Sequence, residues 1–122
     1  SFKWKNKVNS NLRASVVDDY LFTFSLEGYF LVLDKITGNI IRITDVFNIF
    51  KSGKRKIIKP VGFIVGLNNI FLTTSNGRLL VIDILTGQTL KNLKIDNEKI
   101  SRPFFSDKNL FLIKDNAIIK LN

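Results

Sequence analysis

Two stretches of the chain repeat each other. Residues 26–38 have the sequence LEGYFLVLDKITG, and residues 75–87 have the sequence SNGRLLVIDILTG. In each stretch, a turn glycine is followed by an apolar run, an aspartate, two variable residues and Thr-Gly. Corresponding residues of the two stretches are 49 positions apart throughout. Duplication at a period near this length is typical of repeat architectures. The repeat therefore constrains the fold more than it constrains the function.

A third, shortened copy follows at the end of the chain. Residues 110–122 align with residues 70–83, and the last residues of the two stretches are 39 rather than 49 positions apart. The difference lies in one place, because residues 51–60 (KSGKRKIIKP) have no counterpart between the second and third copies. The basic repeat is thus about 39 residues long and carries one insertion.

The apolar runs are short and indicate strands rather than helices. They are rich in β-branched and aromatic side chains and are bounded by Gly, Asn and Asp, which is the pattern of strands. Most lack alternation of apolar and polar residues, so both faces of the sheets should be covered. The predicted strands are 12–17, 20–25, 29–33 and 39–44 in the first repeat, 61–65, 70–74, 78–82 and 88–95 in the second, and 110–113 in the third.

Two kinds of turn connect these strands. The Asn-Gly pair of the second repeat predicts a type I′ hairpin, in which both central residues have positive φ, and the first repeat has a similar turn one residue longer. In each Asp-x-x-Thr-Gly segment we expect the aspartate to accept backbone hydrogen bonds and the glycine to be left-handed. The residues predicted to shape the turns are Gly28, Asp34, Thr37, Gly38, Asn76, Gly77, Asp83, Thr86 and Gly87.

The predicted fold class is all-β, with about three β-propeller blades of four antiparallel strands, which makes a fragment or half of a propeller. One loop has an alternative: a short helix at residues 45–51, where Val46, Ile49 and Phe50 have helical spacing. The predicted divisions are 1–8 as an outer strand of a preceding or closing blade, 9–50 as a blade, 51–60 as a basic insertion, 61–96 as a blade and 97–122 as an incomplete blade.

The order of strand, turn glycine, apolar strand and Asp-x-x-Thr-Gly resembles the PQQ-like (quinoprotein-type) β-propeller repeat. This repeat occurs in quinoprotein dehydrogenases and in the periplasmic lipoprotein of the outer-membrane barrel-assembly machine. The resemblance implies a tryptophan four residues after each Thr-Gly glycine, docking one blade onto the next. Arg42 and Lys91 stand at those positions, and only Trp4 looks like a docking tryptophan. Docking between the blades would then rely on Leu, Ile and Phe.

Composition removes several kinds of catalytic site. The chain has no cysteine and no histidine, which excludes thiol catalysis, disulfides, the usual zinc ligands and the usual general base. Most of the ten acidic residues have predicted roles in turns, so we predict no catalytic, cofactor-binding or metal-binding residue. These turn carboxylates are Asp34 and Asp83 before Thr-Gly, and Asp18, Asp19, Asp107 and Asp115 in hairpins.

The resemblance raises the question of a quinone cofactor. In quinoprotein enzymes of this kind, the quinone stacks on a tryptophan, faces a disulfide of adjacent cysteines and is held with calcium by Glu, Asn and Asp. This chain has one tryptophan and no cysteine. We therefore expect it to bind neither the quinone nor calcium.

The charge of the chain suggests an anionic partner. The net charge is +9, which suits nucleic acid, anionic lipid or an acidic protein surface. The alternative is compositional drift at solvated positions, because 16 Ile, 14 Lys and 13 Asn are the bias of an AT-rich genome. Nucleic acid is disfavoured because single-strand stacking needs exposed rings, and only Phe47 and Phe50 adjoin the cluster. The candidate contact residues in the insertion are Lys51, Lys54, Arg55, Lys56 and Lys59.

The resulting hypothesis is a non-enzymatic propeller scaffold for protein–protein interaction. By resemblance alone, its setting is the periplasm or cell envelope, with outer-membrane protein assembly as the specific role. No apolar run approaches the length of a membrane span. The alternatives are a non-catalytic segment of a PQQ-dependent oxidoreductase and a polyanion-binding module. A lipidated cysteine upstream would favour the scaffold, whereas adjacent cysteines upstream would favour the enzyme.

The two ends of the chain predict a homodimer. Residues 2–8 look like an outermost strand, and the third repeat stops at Asn122, before its Thr-Gly turn. Family propellers have six to eight blades, so a chain of this length is a fragment or an assembling piece. Because exposed strand edges are sticky, we expect residues 2–8 of one copy to pair with residues 110–121 of another and close a six-bladed ring.

Overall fold

The computed structural model describes residues 3–5, 7–10 and 12–121, and within these ranges eleven strands form three antiparallel sheets. Blade 1 contains β1 (Ser15–Val17), β2 (Tyr20–Phe24), β3 (Tyr29–Asp34) and β4 (Ile40–Asp45). Blade 2 contains β5 (Pro60–Val65), β6 (Asn69–Thr74), β7 (Arg78–Asp83) and β8 (Thr89–Lys94). Blade 3 contains β9 (Phe104–Ser106), β10 (Asn109–Lys114) and β11 (Ala117–Leu121). A short helix, α1 (Ser52–Arg55), precedes blade 2. The predicted all-β class with antiparallel blades is confirmed.

The core lies between blades 1 and 2. Phe24 of β2 contacts Phe63 of β5 edge to face, with 4.9 Å between ring centroids, and stacks on Phe30 of β3. Burial of each such side chain contributes about 1.5–3 kcal/mol. The buried cluster consists of Phe22, Phe24, Phe30, Val32, Val46, Phe47, Ile58, Phe63, Ile70, Leu72, Leu80 and Ile82.

The inner strands are covered on both faces, as the absence of alternation predicts. In β3, Phe30 and Val32 belong to the cluster shared with blade 2, whereas their neighbours Leu31 and Leu33 are buried on the opposite face. The same alternation recurs in β7, where Leu80 and Ile82 belong to the cluster while Leu79 and Val81 are buried on the other face. The forward face of a blade is the face that carries Phe30 in blade 1 and its counterpart Leu79 in blade 2. The opposite face of each blade is the rear face.

Two predicted strands near the beginning of the chain differ from the structure. The first strand begins at Ser15 rather than Leu12, because Leu12 packs against the core instead of pairing. The predicted outer strand at residues 2–8 is not formed: residues 3–5, 7 and 8 adopt no strand, and Phe2 and Asn6 lie outside the described residues. A strand forms only with a pairing partner, and none of the three sheets supplies one here.

The alternative helix at residues 45–51 is wrong. Residues 46–49 form a turn, in which Phe50 N donates to Phe47 O, three residues back, at 3.0 Å, and Val46 and Phe47 are fully buried. Asp45 Oδ1 accepts a hydrogen bond from Phe47 N at 3.2 Å and begins a turn, and the Phe47 ring lies against Gly28. A Cβ at Gly28 would come within 2.2 Å of that ring. The helix forms later, inside the insertion.

The type I′ hairpin predicted at Asn76-Gly77 is also wrong. Gly77 has a φ of 76°, but the positive-φ residues do not include Asn76. Gly77 N donates to Thr74 O at 3.1 Å, as Gly28 N donates to Ser25 O at 3.0 Å, so both repeats use the same three-residue loop. That loop needs only its last residue to be left-handed. Two consecutive left-handed residues occur instead in two hairpins of blade 3, at Asp107-Lys108 and Asp115-Asn116.

Candidate interaction surfaces

The Asp-x-x-Thr-Gly turn of blade 1 is held by its own side chains. Asp34 Oδ1 accepts from Ile36 N at 2.8 Å and from Thr37 N at 3.0 Å, and Gly38 N donates to Asp34 O at 2.8 Å. Gly38 has a φ of 75°. Thr37 Oγ1 accepts from Asn39 N at 3.2 Å. The carboxylate is therefore engaged within the turn.

The turn of blade 2 has the same geometry 49 residues later. Asp83 Oδ1 accepts from Leu85 N at 2.8 Å, and Gly87 N donates to Asp83 O at 2.8 Å. Thr86 Oγ1 accepts from Gln88 N at 3.2 Å, and Gly87 has a φ of 75°. The two turns present backbone carbonyls that a preceding part of the chain contacts, Trp4 at the turn of blade 1 and Arg42 at the turn of blade 2.

Hydrogen bonding in the first of these turns makes stability depend on pH. The backbone N–H groups of Thr37 and Ile36 stabilise the ionised carboxylate and lower the pKa of Asp34 below its ordinary value of 3.8. The stabilisation is present above that ordinary value and is lost as the pH falls through the lowered pKa. We expect Asp34→Asn to flatten the acid side of the stability profile, measured by urea unfolding across that range. Parallel profiles for the variant and the wild type would contradict this assignment.

Trp4 docks on the turn of blade 1. Its Nε1 donates to Lys35 O at 2.9 Å, and its ring covers Gly38, where a Cβ would come within 2.1 Å of the ring. Only a residue without a side chain leaves room for the indole at this position. In a propeller, the outer strand of one blade contacts the turn of the next blade. Trp4 makes a contact of this kind with blade 1.

Arg42 makes the corresponding contact between blades 1 and 2. Its Nη2 donates to Ile84 O, which lies 49 residues after Lys35, and its Nη1 donates to Leu85 O. Its guanidinium carbon lies 5.6 Å from the centroid of the Phe30 ring. Docking between blades 1 and 2 therefore uses an arginine in addition to the Leu, Ile and Phe side chains of the shared core.

Thr44 completes this docking contact. Its side chain covers Gly87, where a Cβ would lie 2.4 Å from Thr44 Oγ1. At blade 1, Trp4 both donates to a turn carbonyl and covers the turn glycine. At blade 2, Arg42 donates to the turn carbonyls and Thr44 covers the turn glycine. The spacing of the repeat identified position 42 as a docking position. It did not predict that Arg42 joins the blades, because an arginine there is also typical of a solvated edge strand.

The five cationic residues of the insertion separate into two kinds. Arg55 is bound within the chain: its guanidinium forms a two-point salt bridge with Asp45, donates to Glu27 O at 3.3 Å and lies 5.7 Å from the Tyr29 ring centroid. The hydrogen bond with Asp45 raises the pKa of Arg55. Lys51, Lys54, Lys56 and Lys59 are exposed. Arg55 therefore anchors the insertion, and only the lysines face solvent.

Blade 3 presents an open edge and an open face. Its strand order is β11-β10-β9, so β11 pairs on one side only in the described structure. On the forward face of blade 3, Phe104 stacks on Phe111 at 5.6 Å between centroids, and Ile118 is 69% exposed. Ile113, the cross-strand partner of Ile118, is also exposed. This apolar surface corresponds to the one that blade 1 buries against blade 2.

The groove between blades 2 and 3 is only partly filled. Phe71 and Phe105 meet across it edge to face at 5.7 Å, and one section of the groove has a volume of about 440 Å³. Lys91, the counterpart of Arg42, lies along its wall and is exposed. The residues lining this section are Asn69, Phe71, Leu79, Val81, Leu90, Lys91, Leu93, Phe105, Lys108, Leu110 and Leu121.

Blade 1 has a complementary open surface at the other end of the chain. Val16, Ile40 and Ile43 lie on its rear face and are exposed. Their positions follow from the register, since Ile43 pairs with Leu31 and Ile40 pairs with Leu33. The chain thus carries one exposed apolar surface on the forward face of blade 3 and another on the rear face of blade 1.

The described residues do not bring potential metal ligands together. Within residues 3–5, 7–10 and 12–121, no group of three or more His, Cys, Asp or Glu side chains is placed to hold a metal ion. In the same ranges, no helix has both the length and the apolar character needed to cross a membrane.

Sequence comparison finds no relative, whereas structural comparison finds several. No protein-family model matches the chain, and no curated protein matches it significantly in sequence. BamB from Moraxella catarrhalis superposes with a TM-score of 0.71 at 10% identity, over 93% of this chain and 31% of that one. The Swd1 β-propeller domain of Myceliophteria thermophila superposes with a TM-score of 0.63 at 13% identity, over 77% of this chain and 31% of that one.

The quinohemoprotein alcohol dehydrogenase ADHIIG from Pseudomonas putida HK5 superposes with a TM-score of 0.65 at 19% identity. The match covers 89% of this chain and 17% of the enzyme. The chain therefore spans less than a third of the length of each of these three structures. At such identities the likeness concerns the fold. The chain has the fold of a β-propeller of the PQQ-like type, represented by three successive blades.

Proposed function

We propose that the chain is a non-enzymatic β-propeller scaffold for protein–protein interaction. Its carboxylates Asp34 and Asp83 are engaged in turns, and its exposed features are an unpaired strand edge and apolar faces. Such surfaces suit association with protein chains rather than conversion of a small substrate. The observation that carries the proposal is blade 3, whose β11 edge and forward face are both open.

For the setting we propose the bacterial periplasm or cell envelope, with outer-membrane protein assembly as the specific role. The repeat resembles that of the periplasmic assembly lipoprotein, and the fold is similar to that of BamB. The rival proposal is a non-catalytic segment of a quinoprotein oxidoreductase, which the similarity to the alcohol dehydrogenase supports equally at the level of fold. Fractionation of source cells tests the setting, since the scaffold proposal expects the protein in the envelope fraction.

We further propose a second copy of the chain as one partner of the open blade. Trp4 contacts blade 1 as Arg42 contacts blade 2, through turn carbonyls 49 residues apart. The segment around Trp4 thus lies where the outer strand of a blade preceding blade 1 would lie. Blade 3 lacks an outer strand next to β11 in the described residues. The N-terminal segment of one copy therefore fits the edge of blade 3 in another.

The apolar faces support the same arrangement. When residues 2–8 of one copy pair with β11 of the other, the forward face of blade 3 meets the rear face of the partner's blade 1. Ile118 is 69% exposed and Val16 is 62% exposed in the single chain, and both would be buried there. Two copies related by a two-fold axis make this contact twice and close a six-bladed ring.

Light scattering tests the dimer. We expect the purified chain to have twice the 14.0 kDa mass at high concentration, and Ile118→Lys to weaken association by about tenfold or more, because a lysine would be buried at the interface. Leu85→Lys, at a side chain that is 84% exposed and lies on a turn, is the control and should leave association unchanged. A stable monomer, or equal dimerisation of both variants, would refute the exchange. Deleting residues 1–8 should also abolish the dimer.

A further inference from the structure

We propose that the insertion is a docking site for an anionic lipid surface. Its contact residues are the four exposed lysines Lys51, Lys54, Lys56 and Lys59, together with the exposed side chain of Ile57. This site lies apart from the open edge of blade 3, and the inference does not depend on the dimer.

The insertion is held rigidly on the blades. Arg55 binds Asp45 through both carboxylate oxygens, and Ile58 is buried in the core shared by blades 1 and 2. Lys59 N donates to Ser75 Oγ at 2.8 Å, which ties the end of the insertion to a turn of blade 2. The lysines are therefore presented from a fixed platform, so little ordering is needed when they bind.

The carboxylate that contacts this platform is already paired. Asp45 is engaged by Arg55, and among the residues that the structure describes no ion pair joins the four lysines to a carboxylate. The cationic charge of the insertion is thus available to an external anion. Four lysines within nine positions add their attractions to a negatively charged surface.

The shape of the insertion favours a flat partner. Gly53, in the middle of α1, is surrounded by open space, since a Cβ built there meets no atom within 4 Å. The two main grooves of the molecule are lined by residues of blades 2 and 3 and do not include the insertion. A small-molecule ligand needs a concave site to hold it, whereas a bilayer surface suits a convex one.

Ile57 distinguishes lipid from a purely ionic partner. Its side chain is 78% exposed and lies between Lys56 and the buried Ile58. An exposed branched apolar side chain among lysines gains nothing from a soluble polyanion. At a bilayer interface it enters the boundary between headgroups and acyl chains while the lysines contact phosphates.

Vesicle co-sedimentation tests the proposal on the whole chain. We expect binding to vesicles of phosphatidylcholine with phosphatidylglycerol, and no binding to phosphatidylcholine alone. Changing Lys51, Lys54, Lys56 and Lys59 together to glutamine should weaken binding by about tenfold or more. The matched control changes Lys91, Lys94, Lys99 and Lys108, which are equally exposed and remove the same charge. Equal losses for both variants would overturn the site.

A second variant tests the apolar part. Ile57→Ser keeps every charge and removes an exposed side chain, so folding should be unaffected. We expect it to weaken vesicle binding several-fold while retention on heparin stays the same. Unchanged vesicle binding by this variant would refute lipid insertion. Lysine-dependent binding to soluble polyglutamate without binding to vesicles would instead identify an acidic protein as the partner and overturn the lipid proposal.

Discussion

Replacing Gly77 by valine will destabilise the fold by about 3–5 kcal/mol, because two costs fall on one residue. The backbone at Gly77 has a φ of 76°, a conformation that a β-branched side chain rarely adopts. In addition, a Cβ there would lie 2.2 Å from Asp96 O and 2.6 Å from Glu98 O, so backbone atoms must move. Those atoms belong to the segment that Gly77 O holds through Ile95 N and Asp96 N.

Gly53→Val is the matched control for this change. Gly53 lies outside the positive-φ residues, and the space around it is open. The same substitution should therefore change the free energy of unfolding by no more than about 0.5 kcal/mol. Urea unfolding followed by the fluorescence of Trp4 measures both variants. Similar midpoints for the two would show that the hairpin geometry at Gly77 does not limit stability.

The repeat and its turns could be predicted from the sequence because their causes are local. In Asp-x-x-Thr-Gly, the aspartate side chain can accept hydrogen bonds from the backbone N–H groups that follow two and three residues later. The turn therefore forms without contacts from distant residues. The apolar runs likewise determine strands that are buried on both faces. The structure has both hydrogen bonds at Asp34, the one from Leu85 N at Asp83, and strands buried in this way at β3 and β7.

The features that sequence analysis missed depend on contacts that form only once blade 1 has folded. Val46, Ile49 and Phe50 have helical spacing, yet the segment turns because Phe47 fits the space that Gly28 leaves. The division of the insertion into one anchoring arginine and four solvated lysines depends on Asp45, ten residues away from Arg55. Neither relation has a local signal, since both arise only when the blade has folded.

Arg42 stands where the family pattern has a tryptophan, and it still joins one blade to the next. Replacing it by alanine will destabilise the fold by about 2 kcal/mol, because two charge-assisted hydrogen bonds to Ile84 O and Leu85 O are lost. Arg42→Lys should lose most of this stabilisation as well, since a single ammonium cannot match the fork of the guanidinium. Chemical unfolding of the three proteins under the same conditions measures both effects.

Lys91→Ala is the internal control, because Lys91 stands 49 residues after Arg42 on the corresponding strand. Its side chain is exposed beside the unfilled groove, so its removal should cost no more than about 0.5 kcal/mol. If Arg42→Ala and Lys91→Ala have equal effects, the arginine does not join the blades, and the apolar cluster alone must hold them. If only Arg42→Ala is costly, docking between blades 1 and 2 rests on a guanidinium that binds the turn of blade 2 as the indole of Trp4 binds the corresponding turn of blade 1.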